Sequence, residues 1–404
     1  NNTEQNNFFV DRIVVTGIGI ISAIGESVES NRLALKNSTT GIGTLELFET
    51  NYASTLPFAE IKRTNNSLKQ QLNVDALNIT RTSLLAQHAC NQAILDSNLT
   101  KAELESADTA LINGTTVGGM CLTDELYQDA NRNSTTSPYV ESYDLASVAI
   151  YLQELYNIQG ICNTINTACS SSANAIMYGA RLIHQGKAKR VIVGGVDSLA
   201  KFTINGFNAL HILSSEKCKP FDQNRSGLNL GEAAAFLVLE KESDCKNKKP
   251  YAILSGYANA NDAYHASALS ETGDGPYEAM STALAVARLN PNDISYINAH
   301  GTGTENNDLA ESAAMIRLFN NVPPFVSTKS LTGHTLGASA AIEAVFSILA
   351  LQHQELYPSA NSVQPIEGTG LKPLATFQKA PVKHVMSNSF GFAGNCSSLI
   401  FSIV

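Results

Sequence analysis

Apolar and branched residues gather in short runs at residues 12–15, 110–112, 161–166 and 191–193. Between these runs, apolar side chains recur three and four apart, at 84–96 and again through Ala173, Ile176, Met177, Ala180 and Ile183. The runs predict strands, the recurring side chains predict helices, and their alternation predicts an α/β sheet with helices on its faces. The stretch 241–250 is charged, with Lys246, Lys248 and Lys249 ahead of Pro250. Beyond it the order starts again: a strand at 251–255, a helix at 277–289 and a strand at 294–299. A strand at 325–327 then follows Pro323-Pro324, with a helix at 336–350 and a last strand at 398–404 after the glycine-rich 390–394. The chain therefore divides into two α/β units, residues 1–249 and 250–404. Their likeness is one of plan, too faint in sequence to be called a repeat from composition.

Composition narrows the picture. A chain of 404 residues is long for one core, and a hydrophobic content of 44% suffices for two. Only 16% of residues are charged, which excludes a disordered chain or a coiled coil. The net charge of −9 leaves no basic stripe to neutralise phosphates, so nucleic acid is not an expected ligand. The seven cysteines show no C-x-x-C pair and are expected to be reduced thiols of a cytoplasmic protein. Residues 1–7 lack the basic start and apolar core of a signal peptide. The apolar segment 336–351 is interrupted by Glu343 and is read as a core helix, not a membrane span.

Chemistry concentrates in a few turns. In Thr167-Ala168-Cys169-Ser170-Ser171-Ser172-Ala173-Asn174-Ala175, a cysteine stands among small residues between a strand-like and a helix-like run. Unpaired N–H groups and the helix dipole there would stabilise a thiolate and move its pKa below the free value of about 8.5; the bland alternative is a buried structural cysteine. Two histidines occupy similar turns after strand-like runs: His300 in Asn298-Ala299-His300-Gly301-Thr302-Gly303-Thr304, and His334 in Ser327-Thr328-Lys329-Ser330-Leu331-Thr332-Gly333-His334. Loops at the carboxyl ends of strands are where open α/β sheets collect ligands. No metal-ligand spacing accompanies these residues, so no metal is expected. Thr16-Gly17-Ile18-Gly19-Ile20-Ile21-Ser22 invites a dinucleotide-binding reading, but Ser22 holds the third glycine position and no acidic ribose ligand is evident. Close packing at a tight turn is the expected role of its glycines.

The Cys169, His300 and Lys329–His334 segments, together with Asn388-Ser389-Phe390-Gly391-Phe392-Ala393-Gly394, resemble the β-ketoacyl-acyl carrier protein synthases of the elongating, Cys-His-His type. Pro220-Phe221-Asp222, Arg225, Gly227 and Gly231-Glu232-Ala233 resemble that family's middle region. The resemblance implies the thiolase fold, two similar α/β halves in a five-layer αβαβα sandwich, and a dimer. It also implies an acyltransferase that carries out a decarboxylative Claisen condensation. No cofactor would be bound, since the substrates ride on the phosphopantetheine of acyl carrier protein.

On this reading Cys169 takes the acyl group, and the backbone N–H groups of Cys169 and Phe392 form an oxyanion hole. Neutral His300 and His334 bind the malonyl thioester. Lys329, Glu343, Asp308 and Glu311 match supporting charges that orient the histidines. Thr302 and Thr304 match the pair that holds the pantetheine arm, Val117 matches an acyl-pocket position, and Phe390 and Phe392 match gating residues of the final loop. Three positions depart from the pattern: Ala393 for Gly, Leu228 for Phe and Ala233 for Gly. They favour a specialised synthase, of polyene or other polyketide type, over fatty-acid elongation. Lys62, Arg63 and Lys69 are candidates for a carrier-protein patch, with His211 at a position that is often basic. The partner is a second copy or a related ketosynthase or chain-length-factor subunit. An inactive chain-length-factor-like subunit is the alternative, and a degradative thiolase would need Cys396 in a context that does not fit.

Overall fold

Residues Ile13–Ser22 form one ten-residue strand, β1, buried along its whole length. The expected glycine turn is therefore the interior of a strand. The two glycines serve close approach, because a Cβ at Gly17 would stand 2.3 Å from the carbonyl oxygen of Ala93 and one at Gly19 2.1 Å from that of Ala89. Both oxygens belong to helix α1 (Arg81–Asp96), which the bare strand admits directly onto the sheet.

The computed structural model describes residues 11–133, 137–245 and 248–404; residues 1–7 and Lys246, named above, lie outside these. The remaining strands of the main sheet are β2 (Thr109–Gly114), β3 (Cys162–Ile165), β4 (Arg190–Asp197) and β5 (Ala233–Lys241), then β6 (Ala252–Asn261), β7 (Tyr296–Asn298), β8 (Phe325–Val326), β9 (His384–Phe390) and β10 (Asn395–Ser402). The first five lie in the order β3-β2-β4-β5-β1 and the second five in the order β8-β7-β9-β10-β6. In each half the first two pairings in that order are parallel and the last two antiparallel. The halves share one topology, and among the described residues two pairs, Val14 with Ile253 and Val15 with Ala252, join them edge to edge.

Three apolar clusters set the layers. Helices α1 and α2 (Ser147–Leu155) pack on the outer face of the first half-sheet. Helices α5 (Asp274–Ala287) and α6 (Glu305–Leu318) pack on the outer face of the second. The largest cluster joins the inner faces of both half-sheets through α3 (Ser171–His184) and α7 (Ser339–His353). The result is the five-layer αβαβα sandwich. The apolar helix expected at 336–350 is α7 preceded by a short 3-10 turn, and Ser339 to Leu351 are all buried in the middle layer.

Strand β3 departs from expectation. A run as apolar and branched as 161–166 suits a buried strand, yet β3 lies at the open edge of the first half-sheet and none of its four residues is fully buried. Helix α2, which packs against it, carries the exposed Ile150, and Tyr127, Val140 and Tyr143 in the preceding segment are also exposed.

Candidate active site

Cys169 sits between β3 and α3, and His334 follows β8, the equivalent strand of the second half. His300 follows β7, whose counterpart β2 leads into the loop that carries Val117. The duplicated topology brings these turns together. A ring nitrogen from each histidine and the Cys169 Sγ all lie within 4.8 Å of one another, and all three residues are buried. The thiol is 3.1 Å from His334 Nε2, and the imidazole rings meet edge to face with centroids 5.5 Å apart.

The tautomer of His334 follows from its other nitrogen. Nδ1 accepts the backbone N–H of Leu336 at 3.0 Å, so a neutral ring carries its proton on Nε2 and presents it to the thiol. That arrangement suits hydrogen-bond donation and leaves Nε2 unable to ligate a metal. Burial pulls both histidines well below their ordinary pKa, and the charge of Lys329 adds to the effect.

Cys169 corrects the sequence expectation. Ala168, at φ +54°, turns the chain so that the thiol faces inward before α3 begins. Burial then pushes the thiol up to about 11, although Lys329 and the N–H groups of Phe392 and Cys169 oppose it. The resting pair is a thiol beside a neutral imidazole; desolvation outweighs the N–H groups and the helix terminus.

Lys329 and Glu343 form a fully buried pair, Nζ to Oε1 2.5 Å. Even so, burial lifts the Glu343 carboxyl to about 7. Glu311 accepts the N–H of His300 at 2.9 Å and of Gly301 at 2.8 Å, and its own pKa is raised to about 7 by burial. Asp308 accepts the N–H of Gly303 at 3.1 Å and of Phe221 at 2.7 Å. The two acids are thus buried clamps on the backbone of the His300 turn, at one helical turn's spacing on α6.

The final loop reaches the thiol. Phe392 lines the same cavity as Cys169, and its N–H is near enough to draw the thiol down; the Phe392 ring stacks on Phe207 with centroids 5.9 Å apart, and Phe390 leans on His300 at 5.7 Å. A cavity of about 410 Å³ opens from Cys169, His334 and Phe392 past Thr302 and Thr304 to His211 and Ser226. The two threonine hydroxyls are 2.8 Å apart on its wall.

Other expected residues stand differently. Val117 is buried and does not line this cavity. Lys62 pairs with Glu60 and Glu46, and Arg63 with Glu26. Lys69 is turned to the carbonyl of Ala76. Cys396 packs against Gly275, apart from the Cys169 cluster.

Sequence reasoning missed Asp197. Its buried carboxylate accepts both hydroxyls of Thr115 and Thr116 and the N–H of Gly337, joining the Val117 loop to the turn after His334. It also missed Phe207 and Asn395. All three are ordinary residue types whose partners are distant in sequence, and no local pattern marks them.

The family profile for the β-ketoacyl synthase N-terminal domain matches residues 10–245, and that for the C-terminal domain matches residues 251–363. The chain is 32% identical to 3-oxoacyl-(acyl carrier protein) synthase 2 of Vibrio cholerae, over 96% of this chain and 98% of that protein. It is 31% identical to the mitochondrial synthase of Arabidopsis thaliana, over 97% and 93% respectively. Among solved structures it is similar to the ishigamide ketosynthase/chain length factor, with TM-score 0.91, 27% identity and coverage of 98% of this chain and 99% of that one. It also resembles the Xenorhabdus doucetiae complex of a ketosynthase, ApeO, with its chain length factor, ApeC: TM-score 0.82, 31% identity, 98% of each chain.

Proposed function

This chain belongs to the β-ketoacyl synthase family and is a condensing enzyme of the acyltransferase class, and we propose that Cys169, His300 and His334 carry out its two half-reactions. In the first, the Cys169 sulfur attacks the carbonyl of an acyl thioester on carrier-protein phosphopantetheine, and the proton it gives up ends on the departing pantetheine sulfur. The tetrahedral oxyanion takes the N–H groups of Phe392 and Cys169. The pantetheine sulfur leaves and is protonated, and the acyl group stays on Cys169. In the second, a malonyl thioester enters the same cavity with Thr302 and Thr304 beside its amides.

His334 Nε2–H and a ring N–H of neutral His300 then donate to the malonyl thioester carbonyl. Loss of carbon dioxide leaves the electron pair as an enolate, which those donors hold. The enolate carbon attacks the acyl-Cys169 carbonyl, the carbon–sulfur bond breaks, and the free thiolate returns with the chain two carbons longer. Burial, reinforced by the charge of Lys329, keeps the histidines neutral and hence able to donate without transferring a proton. Glu311 and Asp308 hold the His300 turn in place.

The observation that carries this reading is the 3.1 Å contact of His334 Nε2 with Cys169 Sγ at the head of the cavity that Phe392 also lines. It favours the active subunit over a chain-length-factor-like one, because the nucleophile and both histidines are assembled. We infer that a second subunit of the same family covers the open edge at β3, against which α2 packs with Ile150 exposed. Ala393 and Leu228 support a polyketide-type acyl chain.

Intact mass spectrometry tests the proposal. Acyl carrier protein loaded with an acyl chain should leave that chain on Cys169, and malonyl carrier protein should then release an elongated product. No adduct on the wild type, or an adduct retained in Cys169→Ala, would overturn it.

A further inference from the structure

The turn carrying Cys169 and the loop carrying Phe392 come from opposite halves of the chain, and their relative position decides whether the oxyanion hole exists. Two contacts join them. Gly391 lies so close that a Cβ there would stand 2.6 Å from the carbonyl oxygen of Thr167. Asn395, at the other end of the loop, is the centre of a polar cluster to which the reaction assigns no part. Its Oδ1 lies 2.7 Å from Ser170 Oγ, 2.9 Å from Asn174 Nδ2 and 2.6 Å from Asn259 Nδ2.

Ser170 follows the nucleophile directly, Asn174 is on the first turn of α3, and Asn259 is on β6. The cluster therefore ties the loop to the nucleophile turn and to the sheet at a single oxygen. Asn174 Nδ2 also donates to Thr167 Oγ1 at 2.8 Å, which extends the tie to the other side of Cys169. The backbone carbonyl of Asn395 accepts the N–H of Gly391 at 2.8 Å and closes the loop on itself. Phe392 stands between these two anchors, next to Ala393, whose φ of +61° is costly for a residue with a Cβ. A loop strained at that position needs an outside tie to keep its N–H aimed at the thiol.

We infer that Asn395 is a positioning residue that sets the Phe392 N–H against Cys169 through its side-chain oxygen, an inference that rests on the function proposed above. What the cluster requires of Asn395 is an acceptor. Its own amide nitrogen makes one contact, to Asn259 Oδ1 at 3.5 Å. Leucine matches asparagine in size and removes the acceptor, whereas aspartate keeps it in place.

The test compares Asn395→Leu, Asn395→Asp and the milder Asn259→Ala in the full-length protein. Acylation of Cys169 by acyl carrier protein is followed by intact mass. Alkylation of Cys169 by iodoacetamide, which needs no oxyanion hole, is followed in parallel. Asn395→Leu should lower the acylation kcat about 10- to 100-fold, less than full loss of an oxyanion donor, with KM within about twofold. Its alkylation should stay within about threefold of the wild type, because the displaced N–H is only one of the groups that draw the thiol down. Asn395→Asp should recover to within about threefold of the wild type, and Asn259→Ala should lose about threefold. If the wild type acylates normally and Asn395→Leu matches it, the inference fails while the proposed function stands. Equal losses in the Leu and Asp variants, or alkylation falling in step with acylation, would also overturn it. A wild type that takes no acyl group would sink the proposed function and this inference together.

Discussion

The resting state of Cys169 can be read from how fast it is alkylated at different pH values. Burial places the thiol at about 11, so at pH 8 about one molecule in a thousand carries the thiolate, against about a quarter for a free cysteine near 8.5. Reaction with iodoacetamide should therefore be about 200-fold slower than that of a free thiol at pH 8, before restricted access is counted. Between pH 6.5 and 9.5 the rate should climb about tenfold per unit without levelling, because the whole range lies below the transition. Lys329 is foremost among the groups that draw the thiol down, so Lys329→Met should be slower still at pH 9. Peptide mapping after timed alkylation, with Cys169→Ala as control, assigns the rate to this residue among seven free cysteines. A plateau below pH 8 would mean a thiolate–imidazolium pair. It would refute both the dominance of burial and the neutral Nε2–H tautomer deduced from the Leu336 contact.

The same tautomer predicts that nitrogen-15 NMR of labelled histidine shows an unprotonated Nδ1 for neutral His334; a protonated Nδ1 would overturn the assignment. Glu311, raised to about 7, gains a proton as pH falls from 7.5 to 6, and one of its two acceptor oxygens then opposes the N–H groups of His300 and Gly301. Condensation should weaken over that range. Glu311→Gln should be about 10- to 100-fold slow at every pH while Cys169 acylation stays within about threefold; equal loss in both half-reactions would show the clamp to be merely structural. Gly19→Ala would set a Cβ 2.1 Å from the Ala89 carbonyl oxygen and should cost about 1–3 kcal/mol in urea unfolding. Gly206→Ala, with nothing within 4 Å on α4 (Lys201–Ala209), should instead be neutral or gain up to about 1 kcal/mol. Equal outcomes for the two would refute the packing argument for β1.

Periodicity located the two α/β halves but misread particular strands for physical reasons. Ala233–Lys241 is buried at eight of its nine positions in the middle of a half-sheet. A strand covered on both faces shows no alternation, and period-two reasoning passed over it. His384–Phe390 hid for the opposite reason: Ser387, Asn388 and Ser389 look like a loop, yet all three are buried where the strand runs into the site. Gly17 and Gly19 look like a turn because glycine permits one, and only the helix lying on them reveals that the missing side chain is what matters. The exposed edge at β3 was illegible because a branched, apolar run reads the same whether its own chain or another subunit covers it.

The site was legible in proportion to how far chemistry constrains residue type. A thiol and two imidazoles in glycine-rich turns are rare enough to point at one another, and the fold explains why they meet. Cys169 follows β3, His334 follows the equivalent β8, and the two half-sheets share one order of strands. Each half therefore delivers the same kind of turn to one place, and the nucleophile comes from one copy and its hydrogen-bond donor from the other. What the turns need to stay in register is less specific. Any buried acceptor of the right reach could do the work of Asp197 across the Val117 loop and Gly337, or of Asn395 between α3 and the final loop. Such residues are defined by contacts spanning 140 or 221 positions, and a linear reading has no means to pair them. Duplication supplied the two turns; a few unmarked polar residues hold them at the distance at which the thiol, the imidazoles and the Phe392 N–H can act together.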